Sequence, residues 1–531
     1  MSGAVGQVTV VGSGLAGLSA TLTLARAGVC VTLVSAQPSE WAQSVMAEGG
    51  INAALDLAGE NDSPEQHFAD TMKSAAGLSD PNAVWGMTKA APGIVRELIG
   101  LGVPFQVEGG HMVQRYFGGQ KKRRTAYAKS STGKALVSAL IDAVRAYEAA
   151  GTVTRLSHHE VEDVLVADDV CQGVVVRDAF TSTLQTLPAP VILATGGLSG
   201  IFGPRTTGTT TNTGHVAALC LSRGVKLSNL EMVQYHPTTV AIPGKRMLVS
   251  EAARGEGGRL CTMRDGKAWY FMEERYPELG NLMPRDVVSR EEASVLADPS
   301  CDGQVYLDMR ALSRHVWRRR LSDLREECIH YLGIDPARQL LPVEPGIHYS
   351  MGGIHVDEGH RTSTHGLYAA GECCSQYHGA NRLGGNSLLG AIYGGRVAGQ
   401  SVLADGFVPK GAASAAGEET ASGCQESAPR EVADILAHAM GIVRDGAELE
   451  AAARQLGSMG DDPMTMLARA LVESALARTE SRGAHFRSDY PQRDEGMARV
   501  TVARIVDGSL RVALEDLPMA REGVPALGGS A

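Results

Sequence analysis

Gln7-Val8-Thr9-Val10-Val11-Gly12-Ser13-Gly14-Leu15-Ala16-Gly17 is the stretch that decides the fold. Residues 7–11 are short, apolar and β-branched, the pattern of a buried strand. They run directly into G-x-G-x-x-G, and an apolar helical pattern follows to about Ala27, with a second strand expected over Val29–Val34. A strand, a glycine turn and a helix in this order form the dinucleotide-binding fingerprint. Gly12 permits the tight turn, Gly14 lets backbone approach a pyrophosphate, and Gly17 lets the helix press on the strand; Ala16 lies on the same turn. Many nucleotide enzymes place an acid for the ribose at the end of the second strand, but Ser35 stands there.

Five polar segments follow downstream: Tyr235-His236-Pro237-Thr238, Ser250-Glu251-Ala252-Ala253-Arg254-Gly255-Glu256-Gly257-Gly258, Pro284-Arg285-Asp286, His348-Tyr349-Ser350-Met351-Gly352-Gly353 and His378-Gly379-Ala380-Asn381-Arg382. Singly each reads as a core histidine or a solvated turn. Taken in order behind the nucleotide turn, they resemble the flavoprotein subunit of the fumarate reductase and succinate dehydrogenase family, over nearly the whole chain. The resemblance implies an α/β chain: an FAD-binding Rossmann-like domain, an inserted α+β capping domain, a helical domain and a short C-terminal segment. It implies reduction of fumarate to succinate, or the reverse. A four-carbon dicarboxylate needs donors at both ends, which His236, His348 and Arg382 supply, with Ser250 beside them. Arg285 is the expected proton donor, with Glu251 and Arg254 behind it. Arginine is a poor acid in water, so it needs a carboxylate partner to reprotonate it.

The same resemblance completes an FAD site. Ser44-Val45-Met46-Ala47-Glu48-Gly49-Gly50 is expected against the flavin ring, and Val191-Ile192-Leu193-Ala194-Thr195-Gly196-Gly197 as a strand returning to the nucleotide fold. Gly366-Leu367-Tyr368-Ala369-Ala370-Gly371-Glu372 resembles the last flavin strand, with Glu372 near the ribityl hydroxyls and Ser387-Leu388 near the pyrimidine edge. A serine or threonine at position 35 suits this family and speaks against NAD. Two departures matter. Most membrane-complex members carry, where this chain has Gln43, a histidine bonded to the flavin methyl group; an amide cannot make that bond, so non-covalent FAD is expected. In Asn212-Thr213-Gly214-His215, His215 replaces the usual Asp and cannot be the same anionic anchor.

L-aspartate oxidase shares the fold and non-covalent FAD. That enzyme presents a glutamate to the substrate ammonium just before a Gly-Gly pair. Here the stretch is Arg115-Tyr116-Phe117-Gly118-Gly119-Gln120, so Phe117 occupies the acid's place, where a ring suits the uncharged middle of fumarate. The segment Glu480-Ser481-Arg482-Gly483-Ala484-His485-Phe486-Arg487-Ser488-Asp489-Tyr490-Pro491 also resembles the fumarate reductase and succinate dehydrogenase form more closely. A related FAD-dependent alkene reductase is the remaining enzyme alternative, and a non-catalytic flavoprotein scaffold the remaining non-enzyme one.

Other chemistry is disfavoured. Gly133-Lys134 lacks the first glycine and the hydroxyl of a phosphate loop, since Ala128 and Ala135 occupy those places. The nine cysteines form no C-x-x-C or haem signature, so no metal site is expected and electrons must arrive from outside. An iron-sulfur protein, with a membrane anchor or another donor behind it, is the expected partner. Acidic residues outnumber basic ones, 59 to 49, which disfavours nucleic acid. The basic run Lys121–Arg124 reads as a solvated face. The 531 residues imply several domains. The expected division is 1–235 with 346–407 for FAD, 236–345 as the cap, 408–428 as a linker, 429–494 helical, and 495–531 as a short end. No leader or membrane span is evident, so a cytoplasmic protein is expected, held at the inner face of the membrane through partners.

Overall fold

The computed structural model describes residues 6–406 and 429–526. The linker expected over 408–428 lies outside the described residues, and so does the end beyond 526. The chain is mixed α/β with a helical C-terminal region. Strand β1 (Gln7–Val11) runs into helix α1 (Leu15–Arg26), and strand β2 (Cys30–Ser35) follows, one residue later than the sequence pattern placed it. β1 pairs in parallel with β2 on one side and with Val191–Leu193 on the other. Val153–Ser157 extends the sheet beyond β2, and Leu367–Ala369 closes the opposite edge. The chain therefore builds outward from β1 in one direction, then returns to build in the other. This makes a topological switch point at the carboxyl ends of β1 and Val191–Leu193, where open α/β sheets bind ligands.

Sterics hold that point open. An added Cβ on Gly12 (φ 106°) would lie 2.1 Å from the Ala194 carbonyl oxygen, and one on Gly17 would lie 1.7 Å from the Gly12 oxygen. No side chain fits at either place. α1 packs in turn on the long helix Asn386–Asp405, where a Cβ on Gly395 would meet the Ala16 oxygen at 2.1 Å and the Ser19 hydroxyl donates to the Ile392 carbonyl. The apolar side chains of both helices and of β1 share one core that includes Val10, Leu18, Leu33 and Leu389.

A second sheet carries the intervening chain. Its order is Lys245–Leu248, Val233–Ile242, Leu341–Ser350, Cys301–Asp308, Arg259–Arg264 and Lys267–Trp269, backed by helix Arg285–Leu296 around a separate core containing Leu260, Val288 and Leu307. The strands Val233–Ile242 and Leu341–Ser350 run straight through the limits 235/236 and 345/346, so those limits fall inside paired strands.

The C-terminal helices Arg430–Ala439, Gly446–Ser458 and Pro463–Ala477 share a core with the nucleotide sheet: Leu436 and Leu467 cluster with Leu193 and Leu219. The strand expected at about 498–504 lies at Val500–Val506 and forms a hairpin with Ser509–Glu515, whose first strand pairs with Leu227–Ser228. A buried ion network anchors this region. Glu231 pairs with Arg478 at 2.7 Å, Arg478 with Glu480 at 3.0 Å and Glu480 with Arg482 at 2.6 Å, all without side-chain exposure.

One expectation fails here. The run Lys121–Arg124 is not a solvated face throughout, because Arg124 is fully buried and paired with Asp62 (2.9 Å) and Asp70 (2.7 Å). Sequence shows four adjacent charges, but the carboxylates that neutralise the last of them come from a segment more than fifty residues earlier.

Candidate active site

The switch point opens into a cavity of about 590 Å³ that runs from the nucleotide turn to the second sheet. Gly12, Gly14 and Ala16 form its floor; Gly14 caps α1, whose first turn carries no acid to repel a phosphate. Gly17 does not line the cavity; it acts by letting α1 reach Gly12. At the far end of the floor the Ser35 hydroxyl lines the wall and is buried without a partner, as a residue awaiting a ribose hydroxyl would be.

Next come Gln43, Ser44, Glu48, Gly49 and Gly50 along one wall. Gln43 Oε1 accepts the Thr209 amide at 2.6 Å, and the Ser44 hydroxyl accepts the Leu15 amide at 3.3 Å. Backbone is exposed here because side chains do not fit: a Cβ on Gly49 would meet Phe117 at 2.7 Å and one on Gly50 the Ala126 oxygen at 2.5 Å. Ala194, Thr195 and Gly196 form the opposite lip, and Ser387 and Leu388 line the cavity from the first turn of helix Asn386–Asp405. Glu372 accepts the Ser350 amide at 3.1 Å, and burial pushes its carboxyl up to about 7. His215 also lines the cavity. Its Nε2 is engaged by the Val161 carbonyl at 3.1 Å while Nδ1 is buried without a partner, so an imidazole nitrogen is presented where the sequence comparison looked for a carboxylate. Orphaned hydroxyl and imidazole groups, a glycine cradle and a helix N-terminus without acids fit a flavin dinucleotide.

At the inner end the charged residues converge from three separate segments. Arg285 is the first residue of helix Arg285–Leu296, a position where the helix dipole disfavours a cation. Glu251 compensates: its Oε2 accepts Arg285 Nη2 at 2.8 Å and Nε at 3.3 Å, while its Oε1 accepts Arg254 Nη2 at 2.9 Å. Burial alone would raise the Glu251 carboxyl, but Arg285 and Arg254 hold it down at about 2. Arg254 is fully buried behind Glu251 and does not reach the cavity; it also donates to the Asn281 carbonyl at 2.6 Å. The three form a continuous chain of hydrogen-bonded ions from the interior to the cavity wall.

Arg382 completes the set from the opposite side. One amide oxygen, Gln234 Oε1, accepts both Arg285 Nη1 (2.9 Å) and Arg382 Nη2 (3.0 Å), holding two like charges side by side. Arg382 also lies over the Tyr349 ring at 4.3 Å and keeps a buried Nε without a partner. His236 and His348 come from the paired strands Val233–Ile242 and Leu341–Ser350, with ring centroids 5.0 Å apart. The ladder slips between His236 and Thr239, around Pro237, which turns His236 toward its neighbour. The Thr207 hydroxyl and His348 Nδ1 are 2.7 Å apart. Burial, with Arg285 next, pushes both histidines well below 6.5, so they enter neutral. Ser250 and Phe117 close the cavity beside Glu251.

Against one deep carboxylate, Glu251, stand the three guanidinium groups of Arg254, Arg285 and Arg382. Within this cluster the surplus of two positive charges matches a small dianion, because an unpaired buried charge is costly until a counter-charge arrives. Gln234, which ties the two arginines together, was absent from the sequence reading. It immediately precedes the Tyr235–Thr238 segment, and a lone glutamine in an apolar strand carries no spacing signal.

The chain matches the family models described as "FAD binding domain" over residues 7–388 and "Fumarate reductase flavoprotein C-term" over residues 462–525. It is similar to a succinate dehydrogenase flavoprotein subunit of Bacillus subtilis, 36% identical with 94% of each chain covered. It is also similar to an L-aspartate oxidase of Agrobacterium fabrum, 37% identical with 91% of each chain covered. Among solved structures, a quinol-fumarate reductase with menaquinol molecules matches with a TM-score of 0.85 at 30% identity, covering 98% of this chain and 100% of that one.

Proposed function

We propose, from the premise that this chain belongs to the succinate dehydrogenase and fumarate reductase flavoprotein family and is an FAD-dependent oxidoreductase acting on CH–CH groups, that it reduces fumarate to succinate. The observation that carries this reading is the Arg285–Glu251–Arg254 chain facing Arg382 across Gln234. Bound FAD supplies the hydride that reaches one carbon of the double bond. The residues of the chain do the rest. Arg382, His348, His236 and Ser250 hold the two carboxylates, and Arg285 delivers a proton to the neighbouring carbon. Glu251 and then Arg254 restore that proton, so each turnover consumes one hydride and one proton. The dry site strengthens every one of these contacts.

FAD is held by the glycine cradle, Ser35, Glu372 and His215 without a covalent bond, because Gln43 presents an amide already committed to Thr209. Without an alkyl link the flavin potential is lower, which favours fumarate reduction over succinate oxidation. Residues 236–345 serve as the capping domain, so substrate enters where the two sheets meet. Among the described residues no group of His, Cys, Asp or Glu is placed to hold a metal ion, and no helix is long and apolar enough to cross a membrane. Relatives named as flavoprotein subunits support an iron-sulfur protein as the electron partner, with a membrane anchor or another donor behind it, in a complex at the cytoplasmic face of the membrane and part of an anaerobic electron-transport chain. The exposed Trp41 and Met46 beside Gln43 offer it an apolar rim.

L-aspartate oxidation is the second reading, supported by relatives of that name at similar identity. Phe117 argues against it, since a ring offers an ammonium no counter-charge at that wall. Steady-state turnover with fumarate, succinate and L-aspartate, using an artificial dye as electron partner, separates the two. Fumarate reduction is expected to be fastest; L-aspartate oxidation exceeding both would replace the assignment.

A further inference from the structure

Glu48 takes no part in the chemistry above, yet it stands inside the same cavity. Its carbonyl is pinned by the Thr132 hydroxyl at 3.3 Å and by Arg115 at 3.4 Å. The next residue, Gly49, lies against Phe117. The Glu48 side chain lines the cavity within reach of the Ser250 hydroxyl, at the end that Phe117 and Glu251 also line. Its Oε2 is buried without a hydrogen-bond partner. The groups acting on it are Glu327 and Asp323 from helix Ser322–Leu332, Arg115, and the Ser250 hydroxyl. Arg115 only partly offsets the burial of Glu48, because that guanidinium points Nη2 at the Glu48 and Gly49 carbonyls and lies over the Tyr127 ring at 4.1 Å.

We propose that Glu48 is a specificity-determining residue of the dicarboxylate site: a protonated carboxylic acid that stands with Ser250 at the Phe117 end and donates a hydrogen bond to the substrate carboxylate held there. The assignment rests on the dicarboxylate reading above. A dianion needs donors at both ends, and a neutral acid is a donor where an ionised one would repel. Burial, with Glu327 beside it, pushes the Glu48 carboxyl up to about 8, which keeps the proton on at neutral pH. Above that range the same group becomes an anion facing the substrate, and binding weakens.

The test is calorimetric titration of succinate into the FAD-loaded protein and into Glu48→Gln at about pH 7 and about pH 9. Glutamine keeps the shape and a donor but cannot ionise. A group titrating at about 8 is roughly nine-tenths ionised at about pH 9. Wild-type affinity is therefore expected to fall about tenfold over the interval beyond whatever Glu48→Gln shows. Glu372, Arg382, His236 and His348 also face the cavity, but all persist in the variant, so the difference isolates Glu48. Equal pH dependence in the two proteins would overturn the assignment. So would L-aspartate binding that tightens with pH in the wild type alone, because Glu48 would then be acting as an anion toward an ammonium. No succinate binding at either pH would fell the fumarate reading itself, and this assignment with it.

Discussion

Arg285→Lys tests the proposed proton donor. Arg285 makes three charged contacts, two to Glu251 Oε2 and one to Gln234 Oε1. A lysine keeps the charge but has one nitrogen in place of the planar fork, so it can retain only part of this set. Each lost bond to a charged partner is worth about 1.5–3 kcal/mol. The donor nitrogen also moves away from the carbon it must protonate. A loss of kcat beyond about a hundredfold, roughly 2.7 kcal/mol of barrier, is expected. Glu251 keeps Arg254 at 2.9 Å and Gln234 keeps Arg382 at 3.0 Å, so the fold, bound FAD and succinate affinity are expected to survive. The assay is dye-coupled fumarate reduction, with flavin absorbance and calorimetric succinate binding measured on the same preparation. A lysine variant that binds both and turns over within about tenfold of wild type, about 1.4 kcal/mol, would refute the relay and place the proton source elsewhere.

Acid precipitation is expected to leave all flavin in the supernatant, because Gln43 cannot alkylate it; fluorescence retained on the denatured chain would show otherwise. Gly17→Ala puts a methyl group 1.7 Å from the Gly12 oxygen, so the variant is expected to lose FAD or fail to fold, and a normal flavin-to-protein absorbance ratio would contradict that. Arg478→Ala leaves Glu231 and Glu480 buried without their shared partner, at a cost of about 3–5 kcal/mol. A clear fall in the thermal unfolding midpoint is expected, and an unchanged midpoint would mean that the network is not holding the C-terminal region.

Much of the nucleotide fold was legible in eleven consecutive residues, because its demands are local. A tight turn and a close helix-to-strand approach exclude side chains at Gly12 and Gly17 whatever surrounds them, and short-range sterics are written in contiguous residue types. Gln43 and Phe117 carry expectations of the same local kind, non-covalent FAD and an uncharged substrate wall, which flavin release and substrate turnover test. Tertiary structure decided the rest. Gln234 bridges Arg285 and Arg382 although it lies 148 residues from Arg382 in sequence. Arg124 is buried only because Asp62 and Asp70 come to meet it. The Glu48 carboxyl is pushed up because the fold buries it and brings Glu327 near. Charge state and ion pairing depend on desolvation and on partners brought from distant segments, and no spacing along the chain encodes either.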